Sequence, residues 1–209
     1  MVPPEFERAV AHGLYTGTLR SLLHLLKYDG LQPIADRLGG MLAEHVAAMD
    51  DLPGKMLVVP VPLYRGKRRE RGFNQSELLA RAVCQSMRRL RPEWRGEVAP
   101  DILDRQRDTR SQAELSIAQR RRNLRGVFSV PKPERVRGRD VLLIDDIYTT
   151  GATARACSQA LMKAGAASVR VATVARAQRQ EIRFTATEAA ANVPMQADVA
   201  IWDGGKAAL

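Results

Sequence analysis

The residues best suited to do chemistry lie in one short stretch, residues 141–153, with the sequence VLLIDDIYTTGAT. Its first four residues are aliphatic, which is typical of a strand buried in a parallel sheet. Two adjacent carboxylates, Asp145 and Asp146, follow directly. In open α/β sheets, ligands bind beyond the carboxyl ends of the strands. The pattern therefore predicts that the acidic pair lies in a ligand-binding site.

The threonine-rich residues after the acidic pair predict an anion site. Gly151 permits a tight turn and a close approach of the backbone to a ligand. Backbone N–H groups at the start of the next helix favour a phosphate, and the hydroxyls of Thr149, Thr150 and Thr153 add donors. Because carboxylates repel phosphate, we expect the acidic pair to face the hydroxyls of an attached sugar or a magnesium ion.

Two other phosphate-binding motifs are absent from the sequence. No two glycines are separated by a single residue, which excludes the dinucleotide fingerprint. Gly205 and Lys206 are followed by alanine, which excludes a Walker A motif. A simpler interpretation of residues 141–153 is a buried strand, a solvated acidic pair and a capped helix. That interpretation does not require the combination of an aliphatic run, an acidic pair and a Thr-Thr-Gly-Ala-Thr turn. The combination therefore favours a ligand-binding site.

The elements around this stretch predict a parallel α/β sheet. Apolar runs at residues 56–61, 141–144 and 168–174 predict strands separated by helical patterns. The last two runs flank a helix that ends at Gly165, and such a βαβ unit implies a right-handed crossover. The other predicted elements are helices over about 19–29 and 33–49, a helix capped by Asn74 and Glu77, a basic loop at 63–73, a linker at 92–100, and weaker strands at 102–103 and 199–201.

The net charge of +10 is concentrated in the middle of the chain. Residues 65–125 contain 17 Lys and Arg against 8 Asp and Glu. Such a block attracts a polyphosphate or a nucleic acid backbone, although a solvated basic face is the alternative. Phe73 and Trp94 are its two aromatic residues, so platforms for base stacking are sparse. The composition therefore favours a polyphosphate ligand over single-stranded DNA.

Composition also restricts the class of protein. No uncharged apolar run approaches 18 residues, so no transmembrane helix is predicted. Glu5 and Glu7 stand where a signal peptide would be basic and then apolar. Cys84 and Cys157 cannot form a disulfide framework or a four-cysteine zinc site, and we expect both to be buried. A reducing, cytoplasmic location is expected.

Residues 141–153 resemble the phosphoribosyl pyrophosphate (PRPP) motif of type I phosphoribosyltransferases. Over about residues 20–176 the chain is similar to the ComF family, which is related to the phosphoribosyltransferase part of amidophosphoribosyltransferases. Besides the PRPP motif, the stretches that carry this resemblance are LLHLLKYDG (22–30), VVPVPLYRGKRRERGFNQSELLA (58–80), and RDTRSQAELS and RRRNLRGVF within 107–128.

The resemblance implies a role for each matching position. Asp145 and Asp146 match the acidic pair that holds the ribose hydroxyls, with Mg²⁺ nearby. The segment from Leu63 to Lys67, which includes Arg65, matches the pyrophosphate site. Residues 105–122 match the mobile catalytic loop, in which Arg105 and Arg107 would cover the charge of PRPP. The positions that match the 5′-phosphate loop are Thr149, Thr150, Gly151, Ala152 and Thr153.

The resemblance also implies a fold and an activity. The fold is the type I phosphoribosyltransferase fold, a mainly parallel twisted sheet flanked by helices, with residues 1–52 as a helical extension and 53–209 as the phosphoribosyltransferase-like domain. The activity is transfer of phosphoribosyl from PRPP to an unidentified nitrogen acceptor, with Mg²⁺ and release of pyrophosphate. Two alternatives stay open: a competence or DNA-uptake protein that binds single-stranded DNA or the uptake machinery, and a PRPP sensor. A homodimer also stays open.

One feature departs from the family pattern. ComF proteins typically begin with a cysteine-rich zinc ribbon, whereas no cysteine precedes Cys84 here. Either the start is truncated or misassigned, or this branch has lost the module. We therefore expect no zinc ribbon in residues 1–52.

Overall fold

A six-stranded sheet forms the centre of the molecule in a computed structural model that describes residues 6–29, 31–107, 126–177 and 200–203. The strands of the chain are β1 (Arg8–Leu14), β2 (Lys55–Pro60), β3 (Arg95–Val98), β4 (Asp104–Arg105), β5 (Phe128–Ser129), β6 (Asp140–Tyr148), β7 (Ser168–Arg176) and β8 (Ala200–Asp203). The large sheet has the order β3-β2-β6-β7-β1-β8, and β4 pairs with β5 in a separate two-stranded sheet. Within the large sheet β8 runs antiparallel to β1, and every other neighbouring pair is parallel.

Helices cover both faces of this sheet. They are α1 (Gly17–Asp29), α2 (Gln32–Ala47), α3 (Arg65–Arg71), α4 (Gln75–Leu90) and α5 (Ala152–Lys163), with a short 3-10 helix at Pro133–Arg135. Along β6, Leu142 and Ile144 point into the core cluster beneath α1, α2 and α4. Val141 and Leu143 point into the opposite cluster, which includes Leu161 of α5. A strand buried on both faces needs the continuous aliphatic run that the sequence has there.

The predicted parallel α/β architecture is confirmed. The three aliphatic runs form β2, β6 and β7, which are adjacent and parallel, with β6 in the middle. Pro33 lies in the first turn of α2, and Gly165 follows α5 with a φ of 93°. The last predicted strand corresponds to β8. Both cysteines are buried and free, as expected.

Several elements differ from the sequence prediction. Strand β1 was not predicted, because its buried residues Ala9, Val10 and Ala11 are mostly small and form no strong apolar run. The predicted loop at 63–73 contains α3, which buries no residue and so lacks an amphipathic pattern. The predicted linker at 92–100 contains β3. Ile102 and Leu103 are buried, but the strand begins just after them, at β4.

The division of the chain at residue 52 stays a prediction. Strand β1, from the first segment, pairs with β7 in the same sheet as the rest of the fold. Most of the expected catalytic loop, residues 108–122, lies outside the described residues, so its mobility also stays a prediction. None of the described helices is long and apolar enough to cross a membrane.

Candidate functional site

The acidic pair lies near the carboxyl end of β6. The strand does not end at Ile144, as the sequence suggested, but continues to Tyr148, and Asp145 is in register with Thr173 of β7. Asp146 is only 6% exposed. The pair is therefore held in place by sheet pairing.

Asp146 forms an ion pair with a residue from the N-terminal part of the chain. Lys27 Nζ of α1 lies 2.8 Å from Asp146 Oδ2, and Asp146 Oδ1 accepts a hydrogen bond from the Ile147 backbone N–H. Burial by itself would raise the pKa of Asp146, but the Lys27 ammonium outweighs it and lowers that pKa. Burial by itself would lower the pKa of Lys27. The Asp146 carboxylate outweighs this effect of burial and raises the Lys27 pKa. Both groups are therefore charged at neutral pH.

Asp145 has a different environment. Its Oδ1 accepts hydrogen bonds from Ser76 Oγ at 3.2 Å and from the Asp146 backbone N–H at 2.9 Å. Burial, and then the adjacent charge of Asp146, raise the Asp145 pKa well above its ordinary value. The two neighbouring carboxyls thus differ in environment, because only Asp146 has a cation against it.

Ser76 is held against Asp145 by the start of α4. Asn74 caps this helix, as predicted, since its side-chain oxygen accepts a hydrogen bond from the Ser76 backbone N–H. The amide nitrogen of Asn74 donates to the Val61 carbonyl at 3.1 Å. A single buried side chain therefore fixes both the helix that carries Ser76 and the loop that leaves β2.

The Thr-Thr-Gly-Ala-Thr turn joins β6 to α5 just beyond the acidic pair. Gly151 has a φ of 72°, which is the left-handed region, and α5 begins at Ala152. Thr150 Oγ1 accepts a 3.4 Å hydrogen bond from the Ala152 backbone N–H. Thr149 is exposed and Thr153 is half-buried. The predicted anion turn therefore has a glycine conformation and a helix start that suit an anion.

The segment expected to bind pyrophosphate leaves the sheet at the same edge. The Val61 backbone N–H donates to the carbonyl of Ile144, the residue before Asp145. Leu63 lies half-buried in the loop after β2, whereas Arg65 and Lys67 are exposed on α3. The segment expected to bind pyrophosphate, residues 63–67, is thus a short loop followed by the start of α3.

The two arginines expected in the catalytic loop lie at its start. Arg105 belongs to β4 and its guanidinium lies 5.8 Å from the centre of the Phe128 ring, while Arg107 is exposed. Burial raises the pKa of Cys157, the charge of Asp145 raises it further, and Arg105 lowers it. Arg105 and Asp145 therefore both lie close enough to the Cys157 thiol to influence it. Asp104, next to Arg105, accepts a 3.2 Å hydrogen bond from Arg65 Nη2.

Comparison with known proteins identifies the family. Residues 78–203 match the family described as the phosphoribosyl transferase domain. The chain belongs to this family. The DNA utilization protein YhgH of Escherichia coli (strain K12) is 36% identical over 173 residues, which cover 81% of this chain and 72% of that protein. Competence protein F of Haemophilus influenzae is 31% identical over 182 residues, 83% of this chain and 75% of that protein.

These relatives make the chain a ComF-type phosphoribosyl transferase domain, which confirms the resemblance of the sequence. A solved structure of the glutamine PRPP amidotransferase of B. subtilis is 24% identical to this domain, covers 66% of this chain and 25% of that chain, and has a TM-score of 0.39. The mostly parallel sheet with flanking helices agrees with the matched family.

Two residues of this ComF-type domain that lie in the candidate site were not predicted from the sequence. Lys27 and Ser76 both contact the acidic pair, but neither was given a role. Both lie in the stretches that carry the family resemblance, LLHLLKYDG and RGFNQSELLA. The available signal was a single lysine between Leu26 and Tyr28 in an otherwise apolar helix segment, where a charge requires a partner.

Proposed function

We propose that this chain binds PRPP at the carboxyl edge of β2 and β6. The observation that carries the proposal is the acidic pair near the end of β6, in which Asp146 is buried, followed by the left-handed Gly151 and the start of α5. In this arrangement Asp145 and Asp146 accept hydrogen bonds from the ribose hydroxyls. The 5′-phosphate lies on the turn from Thr149 to Thr153. The loop from Leu63 to Lys67 faces the pyrophosphate.

Magnesium is part of the same proposal. Within the described ranges, no group of three or more His, Cys, Asp or Glu side chains could hold a metal by itself. Mg²⁺ commonly keeps several waters and binds one or two carboxylates together with the phosphates of its ligand. Two hard carboxylates beside a phosphate turn fit that mode, so Asp145 and Asp146 would hold an ion that arrives with PRPP. The ion would neutralise the charge of the leaving pyrophosphate.

We extend the proposal to phosphoribosyl transfer. In that reaction the bond from ribose C1 to pyrophosphate breaks, a bond to the nitrogen of an acceptor forms, and pyrophosphate leaves. Arg105 and Arg107 would stabilise the charge that develops on the leaving group. The Arg65–Asp104 hydrogen bond supports this reading, because it joins the expected pyrophosphate segment to the strand that carries Arg105.

Calorimetry with PRPP tests the binding site. We expect heat of binding with Mg²⁺, and a loss of affinity of more than tenfold in D145N/D146N, since each hydrogen bond to a charged group contributes about 1.5–3 kcal/mol. D140N is the matched control, because Asp140 lies at the other end of β6 and its oxygen can still accept from Ser168. Wild-type affinity in D145N/D146N would contradict the proposed ribose contacts.

Turnover is tested separately from binding. Pyrophosphate release is measured with PRPP, Mg²⁺ and a panel of nitrogen acceptors, including ammonia and nucleobases. Release that depends on one acceptor supports transfer and identifies the acceptor class. Binding heat without release for any acceptor favours a PRPP sensor with the same pocket.

A second candidate function is binding of single-stranded DNA. It is favoured by α3, whose sequence RGKRRER is basic and buries no residue, and by relatives named for DNA utilization and competence. Fluorescence anisotropy with an oligo-dT probe, titrated with salt, tests it. Steep salt dependence that is weakened by K67E/R69E supports a DNA-binding role. Affinity that is equal in wild type and K67E/R69E would exclude α3 as the contact surface.

A further inference from the structure

The candidate site must accept a polyanion although it contains two adjacent carboxylates. In the described part of the chain, Lys27 is the one cation within ion-pair distance of either, at 2.8 Å from Asp146 Oδ2. The other groups that contact the pair are neutral: the Ser76 hydroxyl and the backbone N–H groups of Asp146 and Ile147. Lys27 therefore supplies the only direct compensation of charge among these contacts.

Helix α1 holds Lys27 in place over the end of β6. Leu23 and Leu26 of the same helix are fully buried, in the cluster that contains Leu142 and Ile144 of β6. The side chain of Lys27 is 24% exposed and that of Asp146 is 9% exposed. Ion pairs at this degree of burial are screened only weakly by salt. The contact is therefore a persistent part of the site and differs from an exposed surface ion pair.

The ion pair leaves Asp146 able to accept a ligand. A carboxylate offers about four lone-pair positions, and Lys27 and the Ile147 N–H occupy one on each oxygen. Oδ2 is buried beside Lys27, so sugar hydroxyls would approach the remaining positions on Oδ1. We propose that Lys27 is a positioning residue of the PRPP site, which orients the Asp146 carboxylate and cancels its charge so that an anionic ligand binds beside it. The inference rests on the proposed function above.

Substitution of Lys27 tests the role. Calorimetry with PRPP and Mg²⁺ should show affinity weaker by about 10–100-fold in K27M, the range found when a residue that orients a ligating group is removed. K27R keeps the positive charge and should recover most of the lost affinity. K163M is the matched control, because Lys163 is exposed in the last turn of α5, at the end of that helix away from the phosphate turn. It should bind PRPP like the wild type.

A double-mutant cycle decides whether Lys27 acts through Asp146. The four proteins are wild type, K27M, D146N and K27M/D146N. If Lys27 positions Asp146, its removal from the D146N protein should change PRPP affinity by less than about threefold, because residues that act through one another are not additive. An equal loss in both backgrounds would mean that Lys27 contacts PRPP itself or acts elsewhere, and would overturn the proposal.

The cycle also covers a folding failure. Removing Lys27 alone leaves a buried carboxylate without its counter-ion, which destabilises a fold. If K27M does not fold, two other measurements decide whether Lys27 positions Asp146. They are the PRPP affinity of K27R and the comparison of D146N with K27M/D146N, since the double variant has no unpaired charge at position 146. If the wild type binds PRPP and K27M binds it with the same affinity, the role of Lys27 is overturned and the proposed function is not. No PRPP heat in the wild type overturns both the proposed function and this role.

Discussion

Gly151 is the residue at which backbone conformation and side-chain packing together constrain the turn that we propose binds phosphate. Its φ of 72° lies in a region that residues with a side chain rarely adopt. A Cβ at this position would lie 2.2 Å from the hydroxyl oxygen of Tyr148, so even alanine would have to displace the tyrosine ring. Both effects would move the backbone N–H groups at the start of α5.

We expect G151A to weaken PRPP binding at least tenfold and to lower the free energy of unfolding by about 2 kcal/mol, since the left-handed conformation alone costs about 1–2 kcal/mol for a residue with a side chain. Calorimetry and urea unfolding measure the two effects. Gly138 is the control, because its φ is 69° and nothing lies within 4 Å of its Cβ position. G138A should lose stability but keep its affinity for PRPP. Equal PRPP affinity in the two variants would remove Gly151 from the site.

At the scale of elements, the packing of α2 on α4 holds the helix that carries Ser76. The two helices approach each other closely at Gly39 of α2, where a Cβ would lie 2.4 Å from the Cβ of Ala82 in α4. The absence of a side chain at this position therefore sets the distance between the helices. Because Asn74 and Ser76 begin α4 and contact the site, this distance also bears on the acidic pair.

We expect G39A to lower the free energy of unfolding by about 1–3 kcal/mol, the usual range for overpacking a core. The adjacent Gly40 is a matched control, because its Cβ position lies 3.6 Å from Ser86 Oγ, an ordinary contact. G40A should be neutral or stabilising by up to about 1 kcal/mol, since alanine is a better helix former than glycine. Urea unfolding compares the two. If G39A were as stable as G40A, the helices would be able to move apart at Gly39 without a loss in the free energy of unfolding.

At the scale of the whole molecule, a histidine pair joins β1 to the helix layer. His12 Nδ1 of β1 and His45 Nε2 of α2 lie 3.0 Å apart, so one ring donates and the other accepts. Burial, and then the neighbouring His45, lower the pKa of His12, against an opposing effect of Glu44. Burial also lowers the pKa of His45, again opposed by Glu44. Neutral rings therefore fit this contact.

This contact predicts loss of stability in mild acid. The folded-state pKa values lie below 6.5, so the unfolded chain binds more protons once the pH falls past about 6.5. Stability is fully present above that pH and decreases below it, by at most about 1.4 kcal/mol per pH unit for each proton. Urea unfolding between pH 7.5 and 5.5 measures the slope.

We expect H12Q/H45Q to be less stable than wild type at pH 7.5 by about 1 kcal/mol, for the lost hydrogen bond, but to depend less on pH. H24Q is the control, because His24 is exposed. Equal pH slopes in wild type and H12Q/H45Q would assign the acid sensitivity to other groups.

Local patterns in the sequence were sufficient to predict the central architecture and to indicate part of the candidate site. Aliphatic runs indicated β2, β6 and β7, because strands buried on both faces need such runs. The acidic pair and Gly151 were predicted from their position after a strand and before a helix. Asn74 was predicted as a helix cap. Each of these depends on residues close together in the chain.

Contacts between distant parts of the chain were decided by the tertiary structure. Lys27 meets Asp146, and Ser76 meets Asp145, only because α1 and α4 pack over the same end of β6. Strand β1 has little apolar pattern of its own and becomes a strand by pairing with β7 and β8. Periodicity reports which face of an element is buried, but it does not report which partner that face meets. The different environments of the two carboxyls therefore depend on packing that no local pattern contains.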